Sequence, residues 1–373
     1  MLLILFWLSL IIILYTYLAY PLFLVIISLL YKKPKLNLID NYTPSVSLIV
    51  AAFNEEKTIR EKIINSLNLN YPKDKLEIIV FSDGSTDKTD EIVKQFYNQG
   101  VKLYRYEGRM GKTKCQNMTI KKAIGEIIVF SDNSIFDKNA ILEIVKPFSN
   151  KKISCVGGQL KYIGHNNKKT SENIYWKIEK FIKKQENKIN SNLGVSGGIY
   201  AVRKENYIPL PADIISDFAE PLMQIKAGFK VAYAEKAICY EKNIFNAKYE
   251  FNRKVRTILR GLNAFKIIKG LLNPFKYPLI SFQLISHKIL RWKVPILLIL
   301  LFGVNIFLIK INNFYFYFLY LQLLSYILAI LGIFIKRKPF SIFYYFCLIN
   351  LAALKATIQY VLGKNIIVWD TKR

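Results

Sequence analysis

The chain has 373 residues, of which 52% are hydrophobic, a mean hydropathy of +0.21 and a formal net charge of +28. A composition this apolar excludes an ordinary soluble enzyme and requires a search for membrane spans. The positive charge does not indicate nucleic-acid binding, because the lysines and arginines are spread thinly and form no arginine-rich tract. Attraction to an anionic cytoplasmic leaflet explains the charge better.

The first predicted element is a membrane anchor over residues 1–31. This stretch contains no charged residue, and about 20 apolar residues suffice to cross a bilayer core. It lacks the basic start and small-residue cleavage site of a signal peptide, so we predict that it is retained. Lys32 and Lys33 follow it, and Arg291 and Lys293 precede the distal apolar segments. By the positive-inside rule the intervening region is cytoplasmic, and we expect the plasma membrane.

Residues 32–276 are predicted to form one α/β domain. Short β-rich runs alternate with helical segments, which is typical of a doubly wound, mostly parallel, Rossmann-like sheet with right-handed crossovers. The predicted strands are Val46–Ala51, Glu77–Phe81, Val101–Tyr106, Glu126–Phe130 and Ile153–Gly157. The predicted helices are Glu55–Leu67, Lys88–Asn98, Lys112–Ala123 and Asn139–Pro147, followed by a long polar helix near Ser171–Ile189 and a basic helix containing Arg253 and Arg256.

Three of these strands end on carboxylate or amide side chains. The first is followed by Asn54 and Glu55, the second by Asp83, and the fourth by Asp132. Each of these residues alone is typical of a turn or a helix start. Because the carboxyl ends of parallel strands meet at one edge of a sheet, we expect them to converge on one crevice.

A glycine-rich turn precedes the predicted helix at Lys112. Its sequence, Gly-Arg-Met-Gly-Lys-Thr from Gly108, ends like a phosphate-binding loop, but that loop also needs glycine at position 106. The residue there is Tyr106, so we exclude a nucleoside triphosphatase. Arg109, Lys112 and the helix amino terminus remain able to hold a diphosphate.

Cysteine and histidine usage argues against a metal centre built on these residues. The four cysteines form no CxxC pair, so neither a zinc site nor a disulfide framework is predicted. The two histidines, His165 and His287, are too few for a histidine-based site.

The end of the chain is predicted to return to the membrane. Residues 277–293 are expected to form an interfacial helix, and residues 294–373 a membrane region of two or three spans. The candidates are Val294–Ile309, Phe314–Ile335 and Phe340–Leu362. Three spans would place the basic tail residues Lys364, Lys372 and Arg373 outside, against the positive-inside rule. Either one segment does not cross, or the tail breaks the rule.

Taken in order, these motifs resemble the family 2 glycosyltransferases of the GT-A fold, in particular the membrane-anchored relatives of cellulose, chitin and poly-N-acetylglucosamine synthases. The resemblance covers about Val46 to Gly261. It rests on the ordered segments Ala51–Glu56, Ser82–Asp87, Gly111–Lys112 with Asn117, Phe130–Ser134, Gly197–Gly198 and Ser216–Asp217.

The resemblance implies a donor site at the strand ends. Uridine would be held by Ala52, Asn54, Glu55 and Asp83, with Asp83 accepting a hydrogen bond from the uracil N–H. Asp132 takes the place of the first acid of the family's Asp-x-Asp metal motif, whereas Ser134 replaces the last acid. Magnesium binds through one or two carboxylates plus phosphates, so a divalent cation (Mg or Mn) at Asp132 is implied with UDP bound.

The resemblance also implies the catalytic residues. Asp217 matches the general base that takes the acceptor's proton, although an N-cap role is the alternative and Glu220 the obvious substitute. Gly197 and Gly198 match the acceptor-binding segment. Arg253 and Arg256, one helical turn apart, resemble the basic part of the Gln-x-x-Arg-Trp motif and would stabilise the departing diphosphate. A helix face turned toward the anionic leaflet is the alternative.

We therefore hypothesise an integral membrane, inverting glycosyltransferase that moves a sugar from a UDP-sugar to a lipid-linked or polysaccharide acceptor. Thr257 stands where the family motif has tryptophan, which is associated with processive synthesis, so addition of one or a few sugars is favoured over a processive synthase. A catalytically inactive scaffold or nucleotide-sugar sensor is a further alternative. A nucleotidyltransferase is disfavoured because its triphosphate-binding signature is missing.

Overall fold

The computed structural model describes residues 1–30, 39, 41–163, 174–189, 191–242, 247–335 and 337–368. The predictions made for Lys32, Lys33, His165, Lys372 and Arg373 lie outside these residues. In chain order, the described residues form a long apolar helix, an α/β domain built on a single sheet, and three further long apolar helices.

The sheet has a parallel half and a mixed half. Its strands are β1 (Val46–Ala52), β2 (Leu76–Asp83), β3 (Val101–Tyr106), β4 (Ile127–Ser131), β5 (Ile135–Phe136), β6 (Ile153–Ile163), β7 (Tyr200–Arg203) and β8 (Lys230–Lys242). Their order is β3-β2-β1-β4-β7-β6-β8-β5. The first four are mutually parallel, whereas β7 runs antiparallel to both β4 and β6. The predicted GT-A-type α/β fold is confirmed.

The parallel register brings the polar strand ends together. Ala52 of β1 lies opposite Ser82 of β2, and Val50 lies opposite Ser131 of β4. The residues that follow these three strands therefore share one edge of the sheet. Every residue of β1 and β4 is buried, which explains why both read as continuous apolar runs rather than alternating ones.

Helices cover both faces of the sheet and continue into the membrane region. They are α1 (Leu2–Leu30), α2 (Ile59–Leu67), α3 (Thr89–Lys94), α4 (Lys112–Ile120), α5 (Ala140–Val145), α6 (Ile174–Ile189), α7 (Ser216–Lys226), α8 (Ala247–Ile268), α9 (Pro278–Leu308), α10 (Asn313–Phe334) and α11 (Phe340–Val361). Two large clusters of buried apolar residues fill the space between the sheet and its helices. In the described part of the chain, α1, α9, α10 and α11 are long and apolar enough to cross a membrane.

The segment predicted as a separate interfacial helix over residues 277–293 is the first half of α9, which continues to Leu308. The predicted boundary relied on the basic residues Arg291 and Lys293. Lysine and arginine are good helix formers and do not interrupt a helix. A π-helical turn over Ile285–Ile289 lies within α9, where His287 is buried against the α/β domain.

Helix α11 runs beside α8 of the α/β domain. Ala352, Ala353 and Ala356 pack against an apolar stripe of α8, and the Tyr345 hydroxyl donates to Glu250 near the start of α8 at 3.1 Å. Small side chains allow this close helix contact. The beginning and the end of α11 therefore both lie near the α/β domain.

The tail after α11 returns to the sheet edge. The Asn263 side-chain amide donates to Asn365 at 3.1 Å, and Ile366 joins the apolar contacts between α8 and α11. A Cβ built on Gly111 would lie 2.7 Å from the carbonyl oxygen of Ile367. The described end of the chain thus covers the glycine-rich turn at Gly111.

Candidate active site

A cavity of about 440 Å³ lies at the carboxyl edge of the sheet and extends to helices α9 and α11. This volume is within the usual range for sites that bind small ligands. Among the predicted residues, its lining includes Glu55, Lys112, Asp132, Gly197, Gly198, Asp217, Arg253 and Arg256. Asn54, Asp83 and Arg109 lie outside this lining, around the glycine-rich turn, and Ala52 is fully buried at the end of β1.

The Asp83 carboxylate holds the glycine-rich turn. It is fully buried and accepts hydrogen bonds from the backbone N–H of Met110 at 2.7 Å and of Gly111 at 3.1 Å. Arg109 approaches the same carboxylate at 3.5 Å and stacks on the Phe53 ring. Gly111 has a φ of +88°, which glycine adopts readily. The predicted bond from Asp83 to uracil stays a prediction.

The residues after β1 are fixed by the neighbouring loop. Asn54 has a φ of +50°, and its side-chain oxygen accepts a hydrogen bond from the Thr86 N–H at 2.8 Å. The Glu55 carboxylate is buried and accepts from Thr58 at 2.6 Å and from Asn133 at 2.9 Å. These contacts join the ends of β1 and β4 and give the cleft a rigid floor.

Asp132, Asp217 and Lys112 converge at Gly197. A Cβ at this glycine would lie 3.0 Å from Asp217 Oδ2, 3.1 Å from Asp132 Oδ2 and 3.3 Å from Lys112 Nζ. Lys112 forms an ion pair with the other oxygen of Asp132. Two carboxylates separated by 85 residues in the sequence therefore face the same small space, and any side chain at position 197 would crowd them.

Ser134, which occupies the position of the missing acid, points away from this space. It is buried, its hydroxyl donates to the Gly198 carbonyl at 2.8 Å, and its own carbonyl accepts from Lys62 at 2.6 Å. Burial lowers the pKa of Lys62 to about 7. A Cβ at Gly198 would meet Cys239 Sγ at 2.9 Å. Ser134 thus positions the glycine pair through the backbone.

The two acids of α7 have different environments. Asp217 is half-buried in the cleft, and this burial, with a smaller contribution from the Asp132 charge, raises its pKa, whereas Lys112 and Lys183 oppose the rise. Glu220 is fully buried outside the cleft, and its carboxylate accepts from Gln224 at 2.7 Å. Glu220 therefore does not replace Asp217 at the cleft.

The burial of Glu220 leads us to expect that the stability of the protein depends on pH. Burial raises its pKa to about 8, so the folded state holds this proton more tightly than the unfolded state does. The stabilisation is complete below about pH 4 and is lost as the pH rises to about 8. We expect the Tm of the wild type to fall, relative to that of Glu220→Gln, between about pH 5 and pH 8. Thermal unfolding in detergent at a fixed scan rate measures this, and parallel pH profiles would contradict it.

The arginines of α8 line the opposite wall. Arg253 forms an ion pair with Glu250 at 2.7 Å, and Arg256 also reaches the cleft. One turn later, Arg260 donates to Thr113 Oγ1 at 2.9 Å and to the Ile214 carbonyl at 2.7 Å. Burial and the neighbouring Arg256 lower the pKa of Arg260 to about 10. Arg260 thereby positions the loop that precedes Asp217.

Several cleft residues escaped the sequence analysis because they come from distant elements. Lys183 of α6, Lys288 and Trp292 of α9, and Ala353 of α11 all line the cavity. Close by, His287 lies 2.8 Å from a Glu186 oxygen, which also accepts from the Tyr20 hydroxyl at 2.7 Å. No local motif marks these positions. The one sequence signal is at His287 and Lys288, which are polar residues within an apolar helix.

The mixed sheet, the carboxylates at its strand ends and the flanking apolar helices define a glycosyltransferase of the GT-A fold. Residues 47–208 match the family described as Glycosyl transferase family 2. This part of the chain is therefore a family 2 glycosyltransferase domain, as the motifs predicted.

Similar proteins carry glycosyltransferase names. One, from Methanococcus voltae, is a dolichyl N-acetyl-alpha-D-glucosaminyl phosphate 3-beta-D-2,3-diacetamido-2,3-dideoxy-beta-D-glucuronosyltransferase, 27% identical over 61% of this chain and 73% of its own length. Another is a poly-beta-1,6-N-acetyl-D-glucosamine synthase from Staphylococcus epidermidis, 33% identical over 30% of this chain and 28% of its own length. The chain therefore spans less than a third of that second relative.

One solved structure shares almost the whole fold. The mannosyltransferase PcManGT from Pyrobaculum calidifontis, in complex with GDP-Man and Mn2+, has a TM-score of 0.75 and 18% identity. The match covers 96% of this chain and 99% of that chain. The shared architecture thus includes the apolar helices as well as the catalytic domain.

Proposed function

We propose that this protein is an integral membrane, inverting glycosyltransferase that transfers a sugar from a UDP-sugar to a lipid-linked or polysaccharide acceptor. The convergence of Asp132, Asp217 and Lys112 on Gly197 carries the proposal. An inverting transfer needs one carboxylate for the acceptor hydroxyl and a charged group at the leaving diphosphate, within reach of one anomeric carbon.

The donor occupies the edge formed by β1, β2 and β4. Asn54 and Asp83 lie where uridine binds, and Arg109 and Lys112 face the diphosphate from the glycine-rich turn. The ion pair between Lys112 and Asp132 supports a role for this lysine in neutralising negative charge at the site. Arg253 and Arg256 stabilise the charge that develops on the departing UDP.

The Asp217 carboxylate takes the proton from the acceptor hydroxyl. As that oxygen bonds to the anomeric carbon, the bond to UDP breaks on the opposite face, which inverts the configuration. The raised pKa of Asp217 suits this role, because a base whose pKa is closer to the working pH accepts a proton more readily. Gly197 and Gly198 leave room for the acceptor between the two carboxylates.

A divalent cation, Mg or Mn, fits this donor set only together with UDP. In the described part of the chain, no group of three or more Asp, Glu, His or Cys side chains is arranged to hold a metal. Magnesium commonly binds one or two carboxylates and completes its shell with phosphates and water. Asp132 would hold the cation, which would supply positive charge to the diphosphate. The structural relative PcManGT was solved with Mn2+, which supports this assignment.

The catalytic domain is proposed to lie on the cytoplasmic side of the plasma membrane. In this proposal α1, α9 and α10 cross the membrane, whereas α11 lies beside the catalytic domain and does not cross. The carboxyl-terminal tail is then on the same side of the membrane as the catalytic domain. The contact between Ile367 and Gly111 supports this arrangement, and it satisfies the positive-inside rule for the basic tail. A carboxyl-terminal tag should be protected from protease in right-side-out vesicles, and cleavage there would overturn this topology.

Membranes containing the protein should transfer label from a UDP-sugar into a lipid or polysaccharide product. A panel of labelled UDP- and GDP-sugars tests the donor, and product length separates single addition from processive synthesis. The processive alternative is favoured by the similarity to a poly-beta-1,6-N-acetyl-D-glucosamine synthase. UDP binding without turnover across the panel would favour the inactive scaffold or sensor instead.

A further inference from the structure

The end of the cleft away from the donor turn is strongly basic. Nine lysines and arginines line the whole cavity, against five aspartates and glutamates. The same lining includes the apolar residues Trp292 of α9 and Ile349 and Ala353 of α11. A basic site with apolar helices as its wall fits an anionic group that arrives from the membrane side.

Several of these cations already have partners within the chain. Arg291 forms an ion pair with Glu179, and Arg253 forms one with Glu250 at 2.7 Å. Arg260 donates to backbone carbonyls. These residues are therefore less available to bind a further anion.

Lys183 and Lys288 differ from this group. They come from α6 and α9, which are joined by the contacts of His287 with Glu186 at 2.8 Å and with Glu179 at 3.3 Å, and both are partly buried in the lining of the cleft. Within the described residues, neither ammonium group has a hydrogen-bond or ion-pair partner. Glu179, an acid of the same cleft lining, is occupied by Arg291 and by His287 at 3.3 Å.

Two like charges held together in a partly desolvated cleft repel each other, and a bound anion would offset this cost. Lys183 is also close enough to Asp217 to oppose the rise of its pKa. An anion between the lysines would therefore lie beside the acceptor hydroxyl that Asp217 activates. Lysine binds phosphate as a point charge and imposes little geometry on it.

We propose that Lys183 and Lys288 bind a phosphate group carried by the acceptor, and so select a phosphorylated acceptor for the transfer. This inference rests on the proposed function. The phosphate is a spectator: the acceptor hydroxyl bonds to the anomeric carbon, its proton passes to Asp217, and UDP leaves. The apolar wall formed by Trp292, Ile349 and Ala353 favours a lipid phosphate over a soluble sugar phosphate as the source.

The test uses the full-length protein in phosphatidylcholine nanodiscs, which keep the lipid surface neutral. Binding of farnesyl phosphate, farnesol and N-acetylglucosamine 1-phosphate is followed by tryptophan fluorescence, and UDP binding by calorimetry. We expect the wild type to prefer farnesyl phosphate to farnesol. Lys183→Gln and Lys288→Gln should each weaken farnesyl phosphate binding by roughly tenfold or more and leave farnesol binding unchanged.

Matched controls are Lys184→Gln and Lys293→Gln, which remove exposed neighbouring charges and should change nothing. Equal affinity for farnesyl phosphate and farnesol, or a phosphate preference that survives both lysine substitutions, overturns the inference. Lysine-dependent binding of N-acetylglucosamine 1-phosphate as tight as that of farnesyl phosphate supports the phosphate site and assigns a soluble source. A wild type that prefers phosphate but binds no UDP would remove the proposed donor and leave this inference standing.

Discussion

Asp217→Asn should lower turnover by about 10²- to 10⁴-fold, the usual contribution of a general base. The substitution keeps the size of the side chain and removes its ability to accept the acceptor's proton. Nothing in the contacts of Asp217 assigns it to the donor, so the affinity for UDP should stay within about twofold. Single-turnover transfer from a labelled UDP-sugar measures the chemical step directly.

The pH profile provides a second readout for Asp217. The base acts only when deprotonated, and its pKa is raised by burial and by the Asp132 charge. Activity should therefore fall on the acidic side with an apparent pKa above that of an ordinary aspartate. Glu220→Gln is the matched control, because that acid lies outside the cleft and should retain turnover. An Asp217→Asn variant with wild-type turnover would remove the assigned base.

Asp132→Asn should reduce kcat/KM by about a hundredfold or more, the scale of losing one charged group at a developing transition-state charge. The substitution also removes the ion pair with Lys112 and the carboxylate proposed to hold the cation. Mn2+ binding in the presence of UDP, followed by electron paramagnetic resonance, should weaken in parallel with activity.

Two variants control the Asp132 experiment. Asp74→Asn removes an exposed acid and should leave activity and Mn2+ binding unchanged. Ser134→Asp restores the last acid of the family motif but should not tighten Mn2+ binding, because the Ser134 hydroxyl faces the Gly198 carbonyl at 2.8 Å. Unchanged Mn2+ binding in Asp132→Asn would place the cation elsewhere.

The parallel half of the sheet could be predicted from the sequence. The strands β1, β2 and β4 are mainly apolar, with Ser47 and Glu77 as internal exceptions, and a polar residue stands at or shortly after the end of each. Both signals are local. A parallel sheet buried on both faces requires such runs. The strand register then necessarily brings Asn54, Asp83 and Asp132 to one edge. The GT-A class was predicted from the resemblance of the ordered motifs to a known family, and the family match over residues 47–208 agrees with it.

The long apolar helices could also be predicted from the sequence, because their composition is a local signal. How these helices pack could not be predicted in this way. Both α9 and α11 are long and apolar enough to span a membrane. Only the tertiary structure shows that Ala352 and Ala353 of α11 pack on α8 and that Ile367 returns to Gly111. Length and hydropathy determine whether a helix can cross, whereas its neighbours determine whether it does.

Which charged residues meet in the cleft could be seen only in the tertiary structure. In the sequence, Asp217 and Glu220 are equivalent acids three residues apart on one helix. Their environments differ because α7 turns one toward Gly197 and the other into a buried polar contact with Gln224. Likewise, Lys183 and Lys288 are ordinary lysines of separate helices until the fold places them together. The sequence by itself determined the sheet and its polar edge, because these depend on local periodicity. Only the tertiary structure decided which charges share the cleft, because that depends on contacts between residues far apart in the sequence, such as Thr113 and Arg260, which are 147 positions apart.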